Sequence, residues 1–266
     1  MRALNNSSEE EFLKVYDSGK YVTPDGYTSD IAVFTIVSEK NTLSKIPKKV
    51  LKLMLIKRHT RDHEGNPNIE GGKWALPGGF VHPDETAYEA AVRELEEETS
   101  VKDIHLQHYQ VYDQPGRDPR GWILSNAHYA IVKEQYLDSK KANDDAQEVE
   151  LFSMEEIESL NLAFDHEKIV KDAFDIIKRE MIQTPLAKEF LPKEFIASEL
   201  QNVLLTVTDK SSIKGKSAWS RKIKNLSFIE PVLTEEGQPK TTQRFSDRPS
   251  ALFRFVDREV PLPSLY

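Results

Sequence analysis

Residues 79–101 read GFVHPDETAYEAAVRELEEETSV, a turn-forming start followed by an acidic amphipathic segment. The pattern predicts a helix over 86–99, because Thr86 can cap the first turn and Glu89, three residues later, completes a capping box. The apolar positions recur at helical spacing and share one face, and they are Tyr88, Ala91, Val92 and Leu95. We therefore expect a helix that buries one side and exposes the other.

Three glutamates crowd the polar face of this predicted helix. Successive residues turn by 100°, so Glu94, Glu97 and Glu98 fall within an arc of about 100°. Carboxylates at these spacings repel one another, and this repulsion costs helix stability. A hard cation such as Mg²⁺ or Mn²⁺ relieves the repulsion and is completed by waters and substrate phosphates. An ordinary solvated acidic face is the alternative interpretation.

The same stretch resembles the Nudix box, G-x5-E-x7-R-E-U-x-E-E-x-G-U, in which U is an aliphatic residue. The matching positions are Gly79, Glu85, Arg93, Glu94, Leu95, Glu97, Glu98 and Val101. Ser100 stands where the pattern has its last glycine, a change that is local to the end of the helix. The spaced glycine, glutamate and arginine favour a metal site over a solvated face, and the resemblance implies a member of the Nudix hydrolase superfamily.

The resemblance also implies roles for the box residues. Glu94, Glu97 and Glu98 are the expected ligands of Mg²⁺ or Mn²⁺, and the backbone carbonyl of Gly79 joins them. Arg93 belongs with the three glutamates to the expected catalytic set. Arg93 and Glu85 would orient neighbouring carboxylates and the loop without touching metal. A cation held here neutralises phosphate charge and activates a bound water as the nucleophile.

A basic loop downstream indicates the class of substrate. Residues 112–121 read YDQPGRDPRG, and the RDPRG core resembles a segment of ADP-ribose pyrophosphatases and of Nudix-related bacterial transcription regulators. Arg117 and Arg120 supply planar donors for phosphate or ribose oxygens. Arg58, at the end of a predicted strand, is a third candidate for substrate binding. A charged hairpin loop and a simple strand-end cation are the alternatives for these arginines.

Two further stretches resemble the same subfamily. The sequence ANDDA contains Asp144 and Asp145, which with Glu148 are candidates for the general base, although a solvated loop is an equal alternative. The sequence LAFDH opens a predicted helix, and its last residue, His166, is more commonly a structural residue at such a position than a ligand.

Strand and helix patterns outside the box predict a mixed α/β unit. Apolar or β-branched runs at 31–38 and 50–57 predict a hairpin with a long loop. Further elements are expected at 74–76, 122–132 and 148–152 as strands and at 166–181 as a helix. With the resemblance, these elements predict the Nudix α/β/α sandwich with a mixed sheet, in the α/β (α+β) class.

The C-terminal part predicts a winged helix-turn-helix domain. Apolar residues recur at helical spacing over 196–207 and 219–226, and strand-like runs at 228–233 and 251–256 flank a polar wing. The segment 210–225 contains six cations and no acid. Its candidate DNA-binding residues are Lys216, Arg221, Lys222 and Lys224. A module for dimer or protein contacts is the alternative.

Charge is divided unevenly along the chain. Residues 187–266 carry 13 Lys/Arg against 10 Asp/Glu, a net charge of +3, whereas the rest carries −11. Such asymmetry indicates two units with different partners. We expect an N-terminal extension over 1–28, a Nudix domain over 29–184 and a winged-helix domain over 187–266. The whole layout resembles the Nudix-related regulators of NAD or sugar metabolism.

Two functions follow from the resemblance. The first is Mg²⁺-dependent hydrolysis of ADP-ribose, or a related nucleotide, to AMP and ribose 5-phosphate. The second is a DNA-binding repressor in which the Nudix fold senses an ADP-ribose-type ligand. Regulators of this kind that have lost activity tend to lose box glutamates, and all are present here, which favours the hydrolase. A homodimer is expected, because a palindromic operator needs two copies.

Composition limits the setting in which the protein works. The chain has 266 residues, a net charge of −8 and 38% hydrophobic residues, as soluble globular proteins have. The absence of cysteine excludes disulfides and zinc–thiolate sites. No apolar run approaches the roughly 20 residues that span a bilayer, and the opening MRALNNSSEEEF lacks the apolar core of a signal peptide. A cytoplasmic protein without a membrane partner is expected.

Overall fold

The structure, a computed structural model, describes residues 6–39, 47–61, 64–99, 104–134, 148–245 and 247–256. The helices are α1 (Asn6–Val15), α2 (Ala87–Thr99), α3 (Met154–Ile157), α4 (His166–Gln183), α5 (Ala197–Leu204), α6 (Ser211–Lys214) and α7 (Lys216–Lys222). The strands are β1 (Gly26–Glu39), β2 (Lys48–Lys57), β3 (Trp74–Ala75), β4 (Gly78–Phe80), β5 (His105–Tyr112), β6 (Ile123–Ile131), β7 (Val149–Ser153), β8 (Phe195–Ile196), β9 (Ile229–Pro231), β10 (Thr241–Thr242) and β11 (Ser250–Phe255).

Seven strands form one mixed sheet. Its order is β3-β2-β1-β6-β5, with β4 also paired to β1 and β7 also paired to β2. β1 and β6 run parallel, and every other pair is antiparallel. The predicted hairpin is confirmed, with Val33 opposite Met54 and Ile36 opposite Leu51.

Helices cover both faces of this sheet, which explains why β1 is apolar along most of its length. Ile31 and Val33 share a buried cluster with Leu95 of α2. Ala32 and Phe34 share the opposite cluster with residues of α4. A strand that is buried on both faces shows no alternation of polar and apolar residues. The predicted α/β/α sandwich is the observed architecture.

Several elements have no counterpart in the sequence predictions, among them β5 and α1. β5 reads HLQHYQVY and lies at an edge of the sheet, where only Leu106 and Tyr112 are buried. Because β5 is mostly polar, its sequence does not show the pattern that predicts a strand. α1 precedes β1 and exposes Phe12, Leu13 and Val15. No helix in the described ranges is long and apolar enough to cross a membrane.

The C-terminal part combines three short helices with a small sheet, and its assignment as a winged helix stays a prediction. β11 pairs with β8, β9 and β10, and a turn at Gly237 lies between β9 and β10. α5 ends at Leu204, and the second predicted helix is α7 followed by a 3₁₀ turn over Ile223–Asn225. α6 is not predicted, because four residues are too few to show a helical period.

One apolar cluster connects this part to the sandwich. Ile177 and Met181 of α4 belong to the same buried cluster as Leu200 of α5, Ile213 of α6 and Trp219 of α7. The Trp219 indole N–H donates to the Ala197 carbonyl at 2.7 Å, which fixes α7 against the start of α5. α4 therefore packs against the sheet and also against the C-terminal helices.

Candidate functional site

The box residues form a short strand, a loop and a helix. Gly79 lies on β4 opposite Ser29 of β1. The predicted capping box is confirmed at the start of α2: the Glu89 N–H donates to the Thr86 hydroxyl at 3.2 Å, and the Thr86 N–H donates to the Glu89 carboxylate at 2.8 Å. The helix is thus fixed in direction where it leaves the loop.

Arg93 connects the acidic residues of the box. Its Nε and Nη2 atoms donate to the two carboxylate oxygens of Glu85 at 3.1 and 2.6 Å, and Nη2 also donates to the Phe80 carbonyl at 3.1 Å. Its Nη1 atom lies 2.7 Å from Glu94 and 3.4 Å from Glu97. Arg93, which is expected to orient the box glutamates, therefore contacts Glu85, Glu94 and Glu97.

The ion pair between Glu85 and Arg93 shifts the pKa of both groups away from their usual values. Hydrogen bonds from Arg93, and then one from the His82 N–H at 2.9 Å, lower the pKa of the Glu85 carboxyl to about 2. The same pairing raises the pKa of the Arg93 guanidinium. Both groups carry full charge at neutral pH, so the loop and the helix stay joined by a two-point ion pair.

Glu94 lies directly on the backbone of Gly79. A Cβ atom built at residue 79 would overlap the Glu94 carboxylate, so only glycine leaves room for this approach. The contact places the Glu94 carboxylate beside the backbone of Gly79, and carboxylate and carbonyl oxygens are the donors that a hard divalent cation prefers. The oxygen donors of Gly79, Glu94 and Glu97 are chemically suited to Mg²⁺ or Mn²⁺, and a metal site at these residues stays a prediction.

The described side chains alone do not assemble a metal cluster. Within them, no group of three or more histidines and carboxylates converges on one point. The side chain of Glu98, the third predicted ligand, lies outside the described part of the chain, and so do Ser100 and Val101. Arg93 lies between Glu94 and Glu97 and neutralises their repulsion.

A cavity of about 210 Å³ opens beside Gly79. All three arginines expected to bind substrate line it together with box residues. The lining residues are Thr28, Asp30, Arg58, Leu76, Gly78, Gly79, Phe80, Arg117, Asp118, Arg120, Phe164 and His166. Residues from four distant stretches of sequence thus converge on the glycine of the box.

Two of the arginines are held against aromatic rings at this cavity. The Arg120 guanidinium carbon lies 5.1 Å from the ring centres of both Phe80 and Phe164. Arg58 lies 5.0 Å from the Phe164 ring, and its Nε donates to the Ile69 carbonyl at 3.2 Å. Stacking fixes the plane of a guanidinium while leaving edge N–H groups for a ligand.

Arg120 also forms an ion pair with Asp118. Its Nε and Nη2 atoms donate to the Asp118 carboxylate at 3.0 and 2.7 Å. Burial would raise the pKa of Asp118, but the hydrogen bonds from the Arg120 side chain and backbone outweigh burial and lower it. A third of the Arg120 side chain, 34%, remains exposed. It can therefore still reach a ligand.

Arg117 differs from the other two arginines because it is buried and paired. Only 4% of its side chain is exposed, and it donates to both carboxylate oxygens of Asp165 at 2.9 and 2.6 Å. Asp30 lies 3.8 Å away. The geometry gives Arg117 a structural role in joining the basic loop to the start of α4, and its part in substrate binding stays a prediction.

His166 is anchored by the backbone, as expected for a structural histidine. Its Nδ1 accepts from the Leu76 N–H at 2.9 Å, and its Nε2 lies 3.9 Å from the Asp30 carboxylate. Complete burial lowers the pKa of the imidazole, so His166 is neutral with its proton on Nε2.

Several residues of this cavity are not predicted from the sequence. Asp30 lies in β1 directly before its apolar run, and Phe80 and Phe164 fall within the quoted stretches GFV and LAFDH without being singled out there. Of these three residues, only Asp30 could have been singled out from the sequence, because a carboxylate in a strand that is buried on both faces needs a partner. Of the candidates for the general base, Asp144 and Asp145 lie outside the described residues, and Glu148 accepts from Lys57 at 2.7 Å.

The predicted DNA-binding residues lie on one short helical segment. Lys216, Arg221 and Lys222 lie on α7, and Lys224 follows in the 3₁₀ turn. All four are exposed, whereas Trp219 and Ile223 between them are buried. The helix thus turns its cations to solvent and its apolar residues to the core.

Comparison with known proteins assigns the family. The model of the NUDIX domain matches residues 31–173. The chain belongs to the NUDIX domain family, and the predicted Nudix fold is confirmed.

Three similar proteins extend this assignment. The ADPR responsive transcriptional repressor NtrR of Acinetobacter baylyi is 27% identical over 255 residues, which are 95% of this chain and 90% of that protein. An ADP-ribose pyrophosphatase of Methanocaldococcus jannaschii is 41% identical over 121 residues, 46% of this chain and 64% of that enzyme. The crystal structure of Shewanella oneidensis NrtR with a 27mer DNA has a TM-score of 0.63 at 23% identity, covering 86% of this chain and 93% of that one. The last likeness shows a shared fold that extends beyond the Nudix unit.

Proposed function

We propose that the protein is a Mg²⁺- or Mn²⁺-dependent hydrolase of nucleoside diphosphates linked to another group, acting on ADP-ribose to give AMP and ribose 5-phosphate. The observation that carries the proposal is that Gly79 of the box lines the same cavity as Arg58 and Arg120. A diphosphate bound there would lie beside the guanidinium groups and beside Gly79, whose backbone the Glu94 carboxylate contacts. The 41% identity to an ADP-ribose pyrophosphatase supports this substrate.

The box residues have separate tasks in this proposal. Glu94, Glu97 and Glu98, with the Gly79 carbonyl, would hold the cation. A bound cation would supply neutralisation of phosphate charge and a water of lowered pKa as nucleophile.

The remaining groups position that donor set and the substrate. Glu85 holds Arg93 at two points, and Arg93 holds Glu94 and Glu97. Arg58 and Arg120 would bind the diphosphate oxygens, because their guanidinium planes are already fixed by stacking. Such preorganisation lowers the cost of arranging charges around the reacting phosphate.

A substrate panel tests the proposal. The purified full chain is incubated with ADP-ribose, a dinucleotide, a nucleotide sugar and a nucleoside triphosphate, each with Mg²⁺ or with a chelator. We expect AMP to form most rapidly from ADP-ribose, and only with the cation. A nucleoside triphosphate that reacts far better than ADP-ribose would contradict the proposed substrate.

DNA binding by the C-terminal part is a second candidate function. It is favoured by the four exposed cations of α7 and its following turn and by the 27% identity, over 95% of this chain, to an ADPR responsive repressor. α4 begins at the cavity with His166 and reaches the C-terminal cluster with Met181. We propose a homodimer whose domains span 29–184 and 187–266 and whose affinity for operator DNA changes when ADP-ribose binds. A gel-shift assay on the gene's upstream region, with and without ADP-ribose, tests this function.

A further inference from the structure

Two residues near the cavity adopt a backbone conformation that their side chains disfavour. Glu70 has φ of 54° and Phe164 has φ of 51°, and they are the two non-glycine residues with positive φ in the described ranges. A left-handed conformation is uncommon for a bulky residue and persists only where the surroundings enforce it. Such outliers concentrate at functional sites, so the forces that hold them indicate what they do.

A hydrogen bond joins Glu70 and Phe164. The Glu70 carboxylate accepts a hydrogen bond from the Phe164 N–H, and it also forms an ion pair with Lys73. These bonds, the Lys73 one first, lower the pKa of Glu70, so the carboxylate is charged at neutral pH. On the other side of Phe164, the Ala163 N–H donates to the Trp74 carbonyl at 2.9 Å. The backbone of Phe164 is therefore fixed from both directions.

The segment that carries Glu70 also holds Arg58. The Arg58 N–H donates to the Lys73 carbonyl at 3.0 Å, the Gly72 N–H donates to the Arg58 carbonyl at 2.9 Å, and Arg58 Nε donates to the Ile69 carbonyl at 3.2 Å. One loop thus fixes the arginine and, through Glu70, the phenylalanine whose ring lies 5.0 Å from that arginine.

The Phe164 ring contacts two guanidinium groups. Arg58 and Arg120 lie 5.0 and 5.1 Å from its centre, and Phe80 lies against Arg120 as well. A single ring therefore sets the separation of two cations in the cavity wall. Two cations at a set separation suit a ligand that presents two neighbouring phosphates better than a ligand with one phosphate.

We infer that Phe164 is a specificity-determining residue that makes the cavity select diphosphates over monophosphates, and that Glu70 is the positioning residue that holds it. The inference rests on the proposed function, since it concerns the same cavity. It explains why the left-handed backbone at Phe164 is retained: the ring reaches both arginines from that conformation.

Kinetic constants separate this role from a general structural one. Phe164→Leu removes the ring and keeps apolar bulk, so KM for ADP-ribose should rise about tenfold with kcat little changed. The inhibition constant of AMP should change less than about twofold, because one phosphate uses one arginine. Phe164→Tyr should behave like wild type. Phe245→Leu is the matched control, since it removes an Arg244–Phe245 contact of 5.5 Å in the C-terminal part and should leave both constants unchanged.

Glu70 is tested by the same constants. Glu70→Ala removes the acceptor of the Phe164 N–H and should raise KM in the same direction as Phe164→Leu. Glu70→Gln keeps an acceptor oxygen and should restore part of the loss. Equal KM values for wild type, Phe164→Leu and Glu70→Ala would overturn the inference, and so would parallel losses for ADP-ribose and AMP.

Thermal unfolding provides a measurement that needs no nucleotide. At a left-handed position glycine is favoured over alanine, so the Tm of Phe164→Gly should exceed that of Phe164→Ala. The reverse order would contradict the left-handed backbone at Phe164 on which the inference depends. A wild-type protein that neither binds nor cleaves ADP-ribose would contradict both the proposed function and this inference. An active wild type together with an unchanged KM for ADP-ribose in Phe164→Leu would contradict this inference alone.

Discussion

The carboxylate of Glu94 lies so close to the backbone of Gly79 that any side chain at residue 79 would displace it. The two residues are brought together because β4 pairs with β1 at Ser29 while α2 packs on the adjacent face of β1 through Leu95. This contact joins Gly79, the first residue of the box, to Glu94 on its helix. It places the Glu94 carboxylate, an expected metal ligand, beside the backbone of the residue whose carbonyl is expected to join it.

Gly79→Ala should therefore impair activity with little loss of global stability. The added methyl group would push the Glu94 carboxylate away from the backbone of residue 79. A displacement of about 1 Å in a preorganised site can cost about 10²-fold in kcat. Gly19→Ala is the control, because its Cβ would meet only an Asp17 carboxylate oxygen at 3.2 Å. Steady-state kinetics of the two variants, with Tm measured in parallel, check the prediction. Wild-type kcat in Gly79→Ala would contradict it.

The arginines of the basic loop should separate into a structural and a binding residue. Arg117→Ala leaves Asp165 and Asp30 without their buried partner, so the free energy of unfolding should fall by about 3 kcal/mol. Arg120→Lys keeps a cation for Asp118 but loses the planar stack, so KM for ADP-ribose should rise about tenfold with a small change in stability. Denaturant unfolding and kinetics measure the two effects. Arg254→Lys, at an exposed pair with Glu230, is the matched control.

The sequence predicted the box helix, its cap and the main hairpin because each is encoded by neighbouring residues. The Thr86–Glu89 cap and the strands around Val33 and Met54 depend on local spacing. The edge strand β5 was missed, since an edge strand with one partner needs few buried side chains. Residue type and spacing therefore sufficed wherever the pattern of neighbouring residues encodes the element.

The cavity depends on partners that are far apart along the chain. Arg117 and Asp165 are 48 positions apart, and Asp30 lies on a third element. The sequence identified the arginine and not the carboxylates that neutralise it. The left-handed backbone of Phe164 has no sequence signal, because phenylalanine does not favour that conformation. Tertiary contacts impose it.

Stability should depend on pH through His128. Burial, and then the neighbouring His108, lower the pKa of His128 to about 4, whereas an unfolded histidine has a value of about 6.5. Because the unfolded state binds the proton more readily, the contribution of neutral His128 is complete above about pH 6.5 and is lost as pH falls toward about 4. The free energy of unfolding should decrease over that window.

A pair of variants tests the role of this histidine. His128→Gln cannot take up the proton and should flatten the fall in the free energy of unfolding between pH 6.5 and 4. His59→Gln, at an exposed histidine, should keep the wild-type slope. The comparison uses urea unfolding at several pH values. Identical slopes in His128→Gln and wild type would exclude His128 as the source.

The exposed cations of α7 should determine any DNA affinity. Each cation that meets a phosphate releases condensed counterions, so affinity should fall steeply with salt. Arg221→Ala combined with Lys222→Ala should weaken binding to the upstream region of the gene and reduce the salt slope by about 2. Lys171→Ala with Lys178→Ala removes the same charge from exposed positions on α4 and should leave binding unchanged. Hydrolysis should survive both double changes.

No binding at low salt, with or without ADP-ribose, would contradict the DNA-binding function and leave the C-terminal part as a module for protein contacts. Binding by a dimer to half-sites one or two helical turns apart would support it.

A time course by phosphorus NMR tests the central claim, metal-dependent hydrolysis at the box, most directly. With wild-type protein, Mg²⁺ and ADP-ribose, the diphosphate resonances should be replaced by two phosphomonoester resonances, those of AMP and ribose 5-phosphate. Glu97→Gln should slow this conversion by on the order of 10³, because it removes a ligand charge from a phosphate-activating cation. Glu96→Gln, the neighbouring exposed glutamate, should convert ADP-ribose at the wild-type rate. Diphosphate resonances that persist with wild-type protein and Mg²⁺, or that disappear equally fast with Glu97→Gln, would contradict the account.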